Sequence, residues 1–438
     1  MNIRELQAQD LKLNWHPCAQ MHDYENFKAL VIKRAYGSYL ELADGRKIID
    51  AISSWWCKAL GHNHPLLKKA LLTQVRKFEH VIFANTTNEI IVKLSRKLTE
   101  LSPGLSKVFY AGDGSSAVEV AIKMSLHVRK INKQAQKNKF VAFTNGYHGE
   151  TVGALSVSDS GVYRDPYQDI LFTPILITPP YVCGAQDPRW HNAFDAWCIA
   201  EKILEQHKKT ITAIILEPIL QGAGGMQLYS KDFLARLSAW AKNNDVYIIA
   251  DEIMTGIGRT GKMFACEHAD IKPDFICLSK GLTSGWLPFS AVLMTEKIYQ
   301  TFYGEYELGK NFLHSHTYSG NVLGAAIALK TIEIIEENKL YERANLLQTI
   351  MLNYMQEIAA KTKILKNIRG IGAVIAADLI VTDPTKRVGY QLYKNAVEYG
   401  AFLRPLGNTI YWLPPLNIPL KTLRELRDIT LRAILKLI

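Results

Sequence analysis

The sequence predicts an α/β fold, with a mostly parallel sheet flanked by helices and a smaller α+β domain after it. Short runs rich in valine, isoleucine and phenylalanine recur after residue 106, and stretches with helical periodicity separate them. This is the pattern expected when parallel strands are buried on both faces by helices. From about residue 324 long helical stretches replace the runs, which indicates the second domain.

The predicted strands follow one another along the chain. Residues 39–43 and 46–50 flank a turn that contains Asp44 and Gly45, a pattern typical of a β-hairpin. A helical pattern begins at residue 66. The seven apolar runs predicted as strands are residues 107–111, 139–144, 174–178, 212–219, 246–253, 274–279 and 290–295.

The C-terminal part begins with a predicted helical stretch over residues 324–361 and ends with an amphipathic helix over residues 420–438. We therefore expect an N-terminal segment (1–65) that contributes to the small domain and to the active site, a large domain (66–323) that carries the main ligand site, and a small C-terminal α+β domain (324–438).

Composition and charge are those of an ordinary globular protein of 438 residues. The formal net charge is +11, but lysines and arginines are scattered in ones and twos, which argues against nucleic-acid binding. The N-terminus lacks the apolar segment of a secretory signal, and no stretch approaches the ~20 apolar residues of a membrane span. We therefore expect a cytoplasmic protein with neither a nucleic-acid nor a membrane partner. The six cysteines are scattered without the paired spacing that would suggest a metal site or disulfides; they are Cys18, Cys57, Cys183, Cys198, Cys266 and Cys277.

The first candidate site is a loop of small residues before a helix predicted to open at about Ser115. Amide groups at a helix N-terminus form an anion site suited to a phosphate, and Gly114 leaves the approach free of a side chain. Alone this is a weak signal, because such loops are often only a turn and a cap.

Asp251 and Lys280 each end a predicted strand. In open α/β sheets, ligands bind at the carboxyl edge of the strands. A buried carboxylate needs a partner to stay charged, and a desolvated lysine is activated for Schiff-base formation. Taken separately, Asp251 is explained as a turn cap and Lys280 as an exposed surface residue.

Together the three features fit pyridoxal 5'-phosphate (PLP). A helix terminus binds the phosphate, a carboxylate keeps the pyridine nitrogen protonated, and a lysine attaches to the aldehyde and later moves the substrate proton. The features occur in that order on successive βα units.

The motifs around these residues resemble those of the class III aminotransferases, a family of fold-type I PLP enzymes. The resemblance rests on IILEPILQGAGG (214–225), IADEIMTGIGRTGKMFACEH (249–268) and LSKGLTSGWLP (278–288), and it extends over about residues 14–416. It implies a ping-pong, PLP-dependent aminotransferase and a homodimer with shared active sites.

The same resemblance implies roles for individual residues. Lys280 is the Schiff-base lysine, Asp251 pairs with the pyridinium nitrogen, and Tyr147 of NGYHGET stacks on the cofactor ring; these three form the catalytic set. Glu217 matches a glutamate that contacts substrate or gates an arginine in relatives. The other cofactor-binding positions are Gly114, Ser115, His316 and Thr317, with Thr317 reaching the phosphate from the neighbouring subunit.

Within the class, further motifs are similar to those of the 7,8-diaminononanoate synthases of biotin biosynthesis. They are NWHP (14–17), SSWW followed by GHNHP (53–65), YHGET, QGAGGM and RPLGNTIYWLPP (404–415). This resemblance implies that 8-amino-7-oxononanoate is the amino acceptor and S-adenosylmethionine the donor.

The substrate pocket follows from the same resemblance. Trp55 lines it as an apolar wall, worth about 0.8 kcal/mol for each methylene buried, and Arg404 binds the substrate carboxylate as a bidentate fork. Since neighbouring side chains on an extended chain face opposite sides, we expect Trp56 to pack inward with the N-terminal segment. The other substrate-binding positions are Tyr147, Lys280, Ser315, Cys18, Arg259 and Tyr411.

Three positions depart from the family pattern. Cys18 stands where tyrosine is usual, and Ser315 and His316 stand where glycine and proline are usual. These departures leave the donor open between S-adenosylmethionine and lysine. The alternatives are another ω-amino-acid or diamine aminotransferase, an aminomutase of the same fold, and a PLP-binding regulatory protein.

Overall fold

The computed structural model describes residues 1–383 and 386–438. The strands are β1 (Ile32–Tyr36), β2 (Tyr39–Leu42), β3 (Lys47–Asp50), β4 (Leu105–Ala111), β5 (Lys139–Phe143), β6 (Ile175–Ile177), β7 (Tyr181–Val182), β8 (Ile211–Leu216), β9 (Leu220–Gln221), β10 (Gln227–Tyr229), β11 (Tyr247–Asp251), β12 (Phe275–Leu278), β13 (Ser290–Thr295), β14 (Leu365–Ile371), β15 (Val374–Leu379), β16 (Ala401–Phe402) and β17 (Thr409–Trp412).

The helices are α1 (Ile3–Leu13), α2 (Asp23–Asn26), α3 (Ser53–Trp56), α4 (Pro65–Val75), α5 (Glu89–Leu101), α6 (Gly114–Ile131), α7 (Val152–Ser156), α8 (Gly161–Arg164), α9 (Pro188–His191), α10 (Phe194–His207), α11 (Lys231–Asn243), α12 (Glu296–Phe302), α13 (Val322–Glu337), α14 (Leu340–Thr362), α15 (Val388–Tyr399) and α16 (Leu420–Leu435). Short 3₁₀ turns lie at Asp165–Ile170, Ala265–His268, Lys280–Thr283 and Tyr306–Leu308.

The central sheet has seven strands in the order β4-β13-β12-β11-β8-β5-β6. All seven predicted strands fall in this sheet, so that prediction is confirmed. β13 runs antiparallel to both of its neighbours, whereas the other pairings are parallel. The carboxyl ends of β8, β11 and β12 therefore lie side by side at one edge, where ligands bind in open α/β sheets.

Alternate residues of the central strands build two separate cores. Ile215 and Ile249 pack in a cluster with helix α6 on one face, whereas Ile214 and Ile248 belong to the larger cluster on the other face. Every residue of β8 is buried. Since successive side chains point to opposite faces of a sheet, helices on both faces explain why these runs are apolar throughout.

The N-terminal segment and the C-terminal part share a second sheet. The predicted hairpin is confirmed as β2 and β3, which pair antiparallel with Tyr39 opposite Ile49. β3 then pairs in parallel with β16, opposite Ala401. A third sheet, β14-β15-β17, lies in the C-terminal part. In the part of the chain that the structure describes, no helix is long and apolar enough to cross a membrane.

The structure divides one predicted helical stretch in two and confirms the start of another helix. The single stretch predicted over 324–361 is two helices, because Lys339 adopts φ 47° and turns the chain between α13 and α14. Helix α6 begins at Gly114, in agreement with the predicted start at about Ser115, and the Asp113 side chain caps it by accepting from the Ser116 amide.

Lys339→Gly is expected to stabilise the protein by about 0.5–1 kcal/mol, because glycine tolerates a left-handed backbone that a side chain makes costly. The exposed ion pair of Lys339 with Glu342 contributes little. Chemical denaturation measures the change. The matched control is Lys202→Gly in the exposed part of α10, which should instead lose about 1 kcal/mol; the same sign for both would contradict the explanation.

Candidate active site

Lys280 lies just beyond the carboxyl end of β12 and opens a 3₁₀ turn, with φ 42°. Its ammonium lies 4.5 Å from the centroid of the Trp56 ring. Within the described residues, no carboxylate comes within ion-pair distance of it. Burial lowers the pKa of Lys280, although the charges of Asp251 and Glu217 oppose this shift. The amine is therefore closer to its neutral, nucleophilic form than an exposed lysine.

Asp251 is the last residue of β11, the strand beside β12, and it is buried. His148 Nδ1 lies 2.8 Å from one carboxylate oxygen, and the Ile253 amide donates to the other. His148 is itself buried, and its Nε2 has no partner among the described residues. His148 was not among the predicted site residues, although it directly follows Tyr147 in the motif NGYHGET.

Glu217 is buried just after β8, and its two carboxylate oxygens accept from the amides of Tyr147 and Gly222. Burial raises the pKa of Glu217 to about 7, helped by the nearby charge of Asp251. A carboxyl group that titrates near neutrality therefore lies between the segment carrying Tyr147 and the strand edge.

The N-terminus of α6 carries the residues predicted to bind an anion. Gly114 and Ser115 are its first two residues, and the Asp113 cap takes the third amide. The segment after Tyr147 lies directly against this terminus, because a Cβ on Gly149 (φ 124°) would be 2.2 Å from Ser115 Oγ. Only glycine permits this approach.

The two tryptophans lie on a left-handed turn, so the expectation of an extended chain was wrong. Ser53, Ser54, Trp55 and Trp56 all have φ between 46° and 72°. Asp50 supports the turn by accepting from both the amide and the hydroxyl of Ser54. The tryptophans therefore diverge because of the turn, not because of strand alternation.

The structure also corrects the surroundings of Trp56. Its indole is buried and donates to the Tyr411 hydroxyl at 3.0 Å, while Lys280 lies over its ring. Its partners thus come from the C-terminal part and the sheet edge rather than from the N-terminal segment. Trp55 remains 42% exposed, with the guanidinium of Arg404 over its ring at 4.9 Å.

Arg404 and Cys18 meet at the mouth of the site. Arg404 Nη2 donates to the Cys18 carbonyl at 2.7 Å. The Cys18 thiol lies 4.0 Å from Glu150 Oε1, the oxygen that also accepts from the Tyr147 hydroxyl at 2.8 Å. Glu150 is a further polar group that the sequence analysis did not single out.

The remaining predicted residues lie in two different settings. Arg259 is buried and donates to the Pro414 carbonyl at 2.6 Å, and burial lowers its pKa to about 9. Ser315 and Thr317 are exposed on the surface of the chain, and the Thr317 carbonyl accepts from His80. His316 Nε2 lies 3.0 Å from the Nε2 of His314. Among the described residues of the single chain, none of Ser315, His316 and Thr317 forms a hydrogen bond or an ion pair with Lys280.

Comparison with known proteins identifies the family. The model of the class III aminotransferases matches residues 19–434. The chain belongs to the class III aminotransferase family. It is 40% identical over 420 residues to the adenosylmethionine-8-amino-7-oxononanoate aminotransferase of Helicobacter pylori, covering 95% of this chain and 94% of that protein. It is 37% identical to the Aquifex aeolicus protein of the same name, again covering 95% and 94%.

Solved structures agree with this assignment. The Methanocaldococcus jannaschii adenosylmethionine-8-amino-7-oxononanoate aminotransferase superimposes with a TM-score of 0.91 at 34% identity, over 99% of each chain. The Pseudomonas jessenii omega transaminase in complex with PMP has the same TM-score at 27% identity, over 99% of this chain and 98% of that chain. The predicted fold class and the prediction of an aminotransferase are therefore confirmed.

Glu217→Gln is expected to reduce the fall in the free energy of unfolding as pH rises, because glutamine does not titrate. Because the folded protein holds the Glu217 proton up to about pH 7, the stability that this proton confers is present below the unfolded pKa of about 4.5 and is lost as pH rises towards 7. At about 1.4 kcal/mol per pKa unit, the loss is about 3 kcal/mol. Denaturant unfolding at pH 5 and pH 7.5 measures it. The control Glu342→Gln changes an exposed carboxyl group and should show the same pH dependence of stability as the parent protein. If Glu217→Gln also shows the parent's pH dependence, the raised pKa of Glu217 is contradicted.

Proposed function

We propose that the protein is a PLP-dependent aminotransferase that converts 8-amino-7-oxononanoate to 7,8-diaminononanoate, with S-adenosylmethionine as amino donor. The observation that supports this best is the desolvated Lys280 amine beside the buried Asp251 at the carboxyl edge of β11 and β12. The relatives that share 37–40% identity over nearly the whole chain bear the name of this activity.

The residues at this edge fit PLP. The first amides of α6 at Gly114 and Ser115 suit its phosphate, and the Asp251 carboxylate suits its ring nitrogen. Lys280, with no carboxylate bound to its ammonium among the described residues, is available for covalent attachment. When bound, PLP supplies a ring that accepts electrons and so stabilises negative charge on a substrate carbon.

The side chains then have distinct tasks. Because burial lowers its pKa, Lys280 Nζ can take a proton from the substrate carbon and return it to a neighbouring atom. Asp251 holds the proton on the ring nitrogen, and His148 keeps that carboxylate in position through the bond at 2.8 Å. Tyr147, held at its hydroxyl by Glu150, supplies the ring that stacks on the cofactor.

Trp55 and Arg404, which lie against each other with the guanidinium over the indole ring, would together form one side of the substrate pocket. The half-exposed indole of Trp55 offers an apolar wall for the methylenes of a nine-carbon acid. The Arg404 guanidinium is held by the Cys18 carbonyl through one nitrogen, so its other donors remain for the substrate carboxylate. Arg259 and Tyr411, also predicted to line the pocket, are buried; Arg259 donates to the Pro414 carbonyl, and Tyr411 accepts from Trp56, the neighbour of Trp55.

We also infer a homodimer in which each active site is completed by the partner subunit. The segment carrying Ser315, His316 and Thr317 is largely exposed in the single chain. Apolar side chains around it are exposed as well, which is typical of a surface covered by another subunit; they are Val81, Ile82, Leu313 and Tyr318. This arrangement would bring Thr317 of the partner subunit to the phosphate.

Lys280→Ala is expected to abolish turnover, because the variant has no amine to attach the cofactor or to move the proton. Lys280→Arg is the matched control: it keeps a cation at the position but is nearly always protonated and cannot form the attachment, so it should be equally inactive. Transamination of 8-amino-7-oxononanoate measures both. A near-normal rate in the alanine variant would refute the proposed mechanism.

The amino donor is tested by adding S-adenosylmethionine and L-lysine separately to the purified holoenzyme. Transfer of the donor amine converts the lysine-bound cofactor to its amine form, so the visible absorbance of the former should disappear. We expect the loss with S-adenosylmethionine only. A loss with lysine alone would assign the lysine-dependent reaction, and no change with either would reject the synthase function.

A further inference from the structure

Tyr163 lies at the mouth of the active site, although none of the motifs includes it. It belongs to the short helix α8, and its ring packs edge-on against Tyr147 with 5.7 Å between centroids and 61° between planes. Its side chain is half-buried. A ring that contacts Tyr147 at the mouth is close enough to meet the outer part of a bound substrate.

The surroundings of Tyr163 place it beside Cys18. The Cys18 thiol interacts with the Tyr163 phenol, and both groups lie near Glu150. Burial raises the pKa of the thiol and of the phenol, so both keep their protons at neutral pH. A thiol offers neither a ring nor a strong hydrogen-bond donor. At this point of the pocket, therefore, Tyr163 supplies the aromatic surface and the donor.

The other aromatic rings at the site already have partners. Trp56 has the Lys280 ammonium over its ring, and Trp55 has the Arg404 guanidinium over its ring. The face of Tyr147 is reserved for the cofactor in the proposed function. In the described structure no cation of the chain itself lies over Tyr163. A ring that carries no cation of the chain and lies near the Glu150 carboxylate is suited to a ligand cation.

We propose that Tyr163 is a specificity-determining residue whose ring binds the sulfonium group of the amino donor. This inference rests on the proposed function, in which the donor is S-adenosylmethionine. The sulfonium carries a full positive charge without any hydrogen-bond donor, so an aromatic face and a nearby carboxylate are the groups that recognise it. The neutral thioether S-adenosylhomocysteine has no charge to interact with that face and keeps only a weaker sulfur–aromatic contact, so the ring distinguishes the two ligands.

The test measures binding in the Lys280→Ala background, where no residue moves the substrate proton and the amine of the donor is not transferred. Calorimetry gives the Kd of S-adenosylmethionine and of S-adenosylhomocysteine for three holoproteins: the one that retains Tyr163 and those that carry Tyr163→Phe or Tyr163→Leu. We expect Tyr163→Leu to raise the Kd of S-adenosylmethionine about tenfold, within the range of a desolvated cation–π contact. The Kd of S-adenosylhomocysteine should change by less than about twofold, and Tyr163→Phe should behave like the protein that retains the tyrosine.

The matched control is Tyr167→Leu. Tyr167 is a more exposed tyrosine that, together with Tyr163, lines a cavity of about 200 Å³. Its substitution should leave both Kd values unchanged. A general loss of packing would weaken the binding of both ligands alike. If the ratio of the two Kd values is the same in Tyr163→Leu as in the protein that retains Tyr163, the proposed role of Tyr163 is therefore overturned. Turnover of the enzyme that retains both Lys280 and Tyr163 separates the proposal about the amino donor from the proposal about Tyr163. If the parent enzyme uses no S-adenosylmethionine, the proposed donor fails. If it does and the ratio is unchanged, only the inference about Tyr163 fails.

Discussion

The burial of one amine, that of Lys280, is the constraint on which the active site depends. Removing an ammonium from water is costly unless it is paired or neutral, and in this site the nearest partner is an aromatic ring rather than a carboxylate. Asp251 and Glu217 act on it only from a distance through their charges. Burial of the ammonium costs free energy, but the lowered pKa of Lys280 that results from it provides the reactive amine that an aminotransferase needs.

Holding Trp56 against Lys280 requires an unusual backbone. The residues from Ser53 to Trp56 are all left-handed, a conformation that costs roughly 1–2 kcal/mol for each non-glycine residue. Side chains offset this cost: Asp50 accepts two hydrogen bonds from Ser54, and Ser53 donates to the Leu413 carbonyl. The turn is thus fixed by a local contact with Asp50 and a distant contact with Leu413, as is typical of strain stored at functional sites.

The mouth of the pocket is assembled from the two ends of the chain. Arg404 reaches the Cys18 carbonyl, and Trp56 reaches Tyr411. Pairing of β3 with β16 brings these segments together. In the proposed function, specificity for the outer part of a substrate therefore resides where the N-terminal segment, the C-terminal part and helix α8 meet, while the chemistry resides at the edge of the central sheet.

The sequence by itself determined the central sheet and the positions of Asp251 and Lys280 at its strand ends. Apolar runs of strand length separated by amphipathic helices have few other solutions, and the carboxyl ends of neighbouring parallel strands must share an edge. Only the tertiary structure decided the left-handed turn at Trp55 and Trp56 and the partner of Cys18. Both depend on hydrogen bonds between residues more than 350 positions apart, and no local propensity or spacing records such contacts.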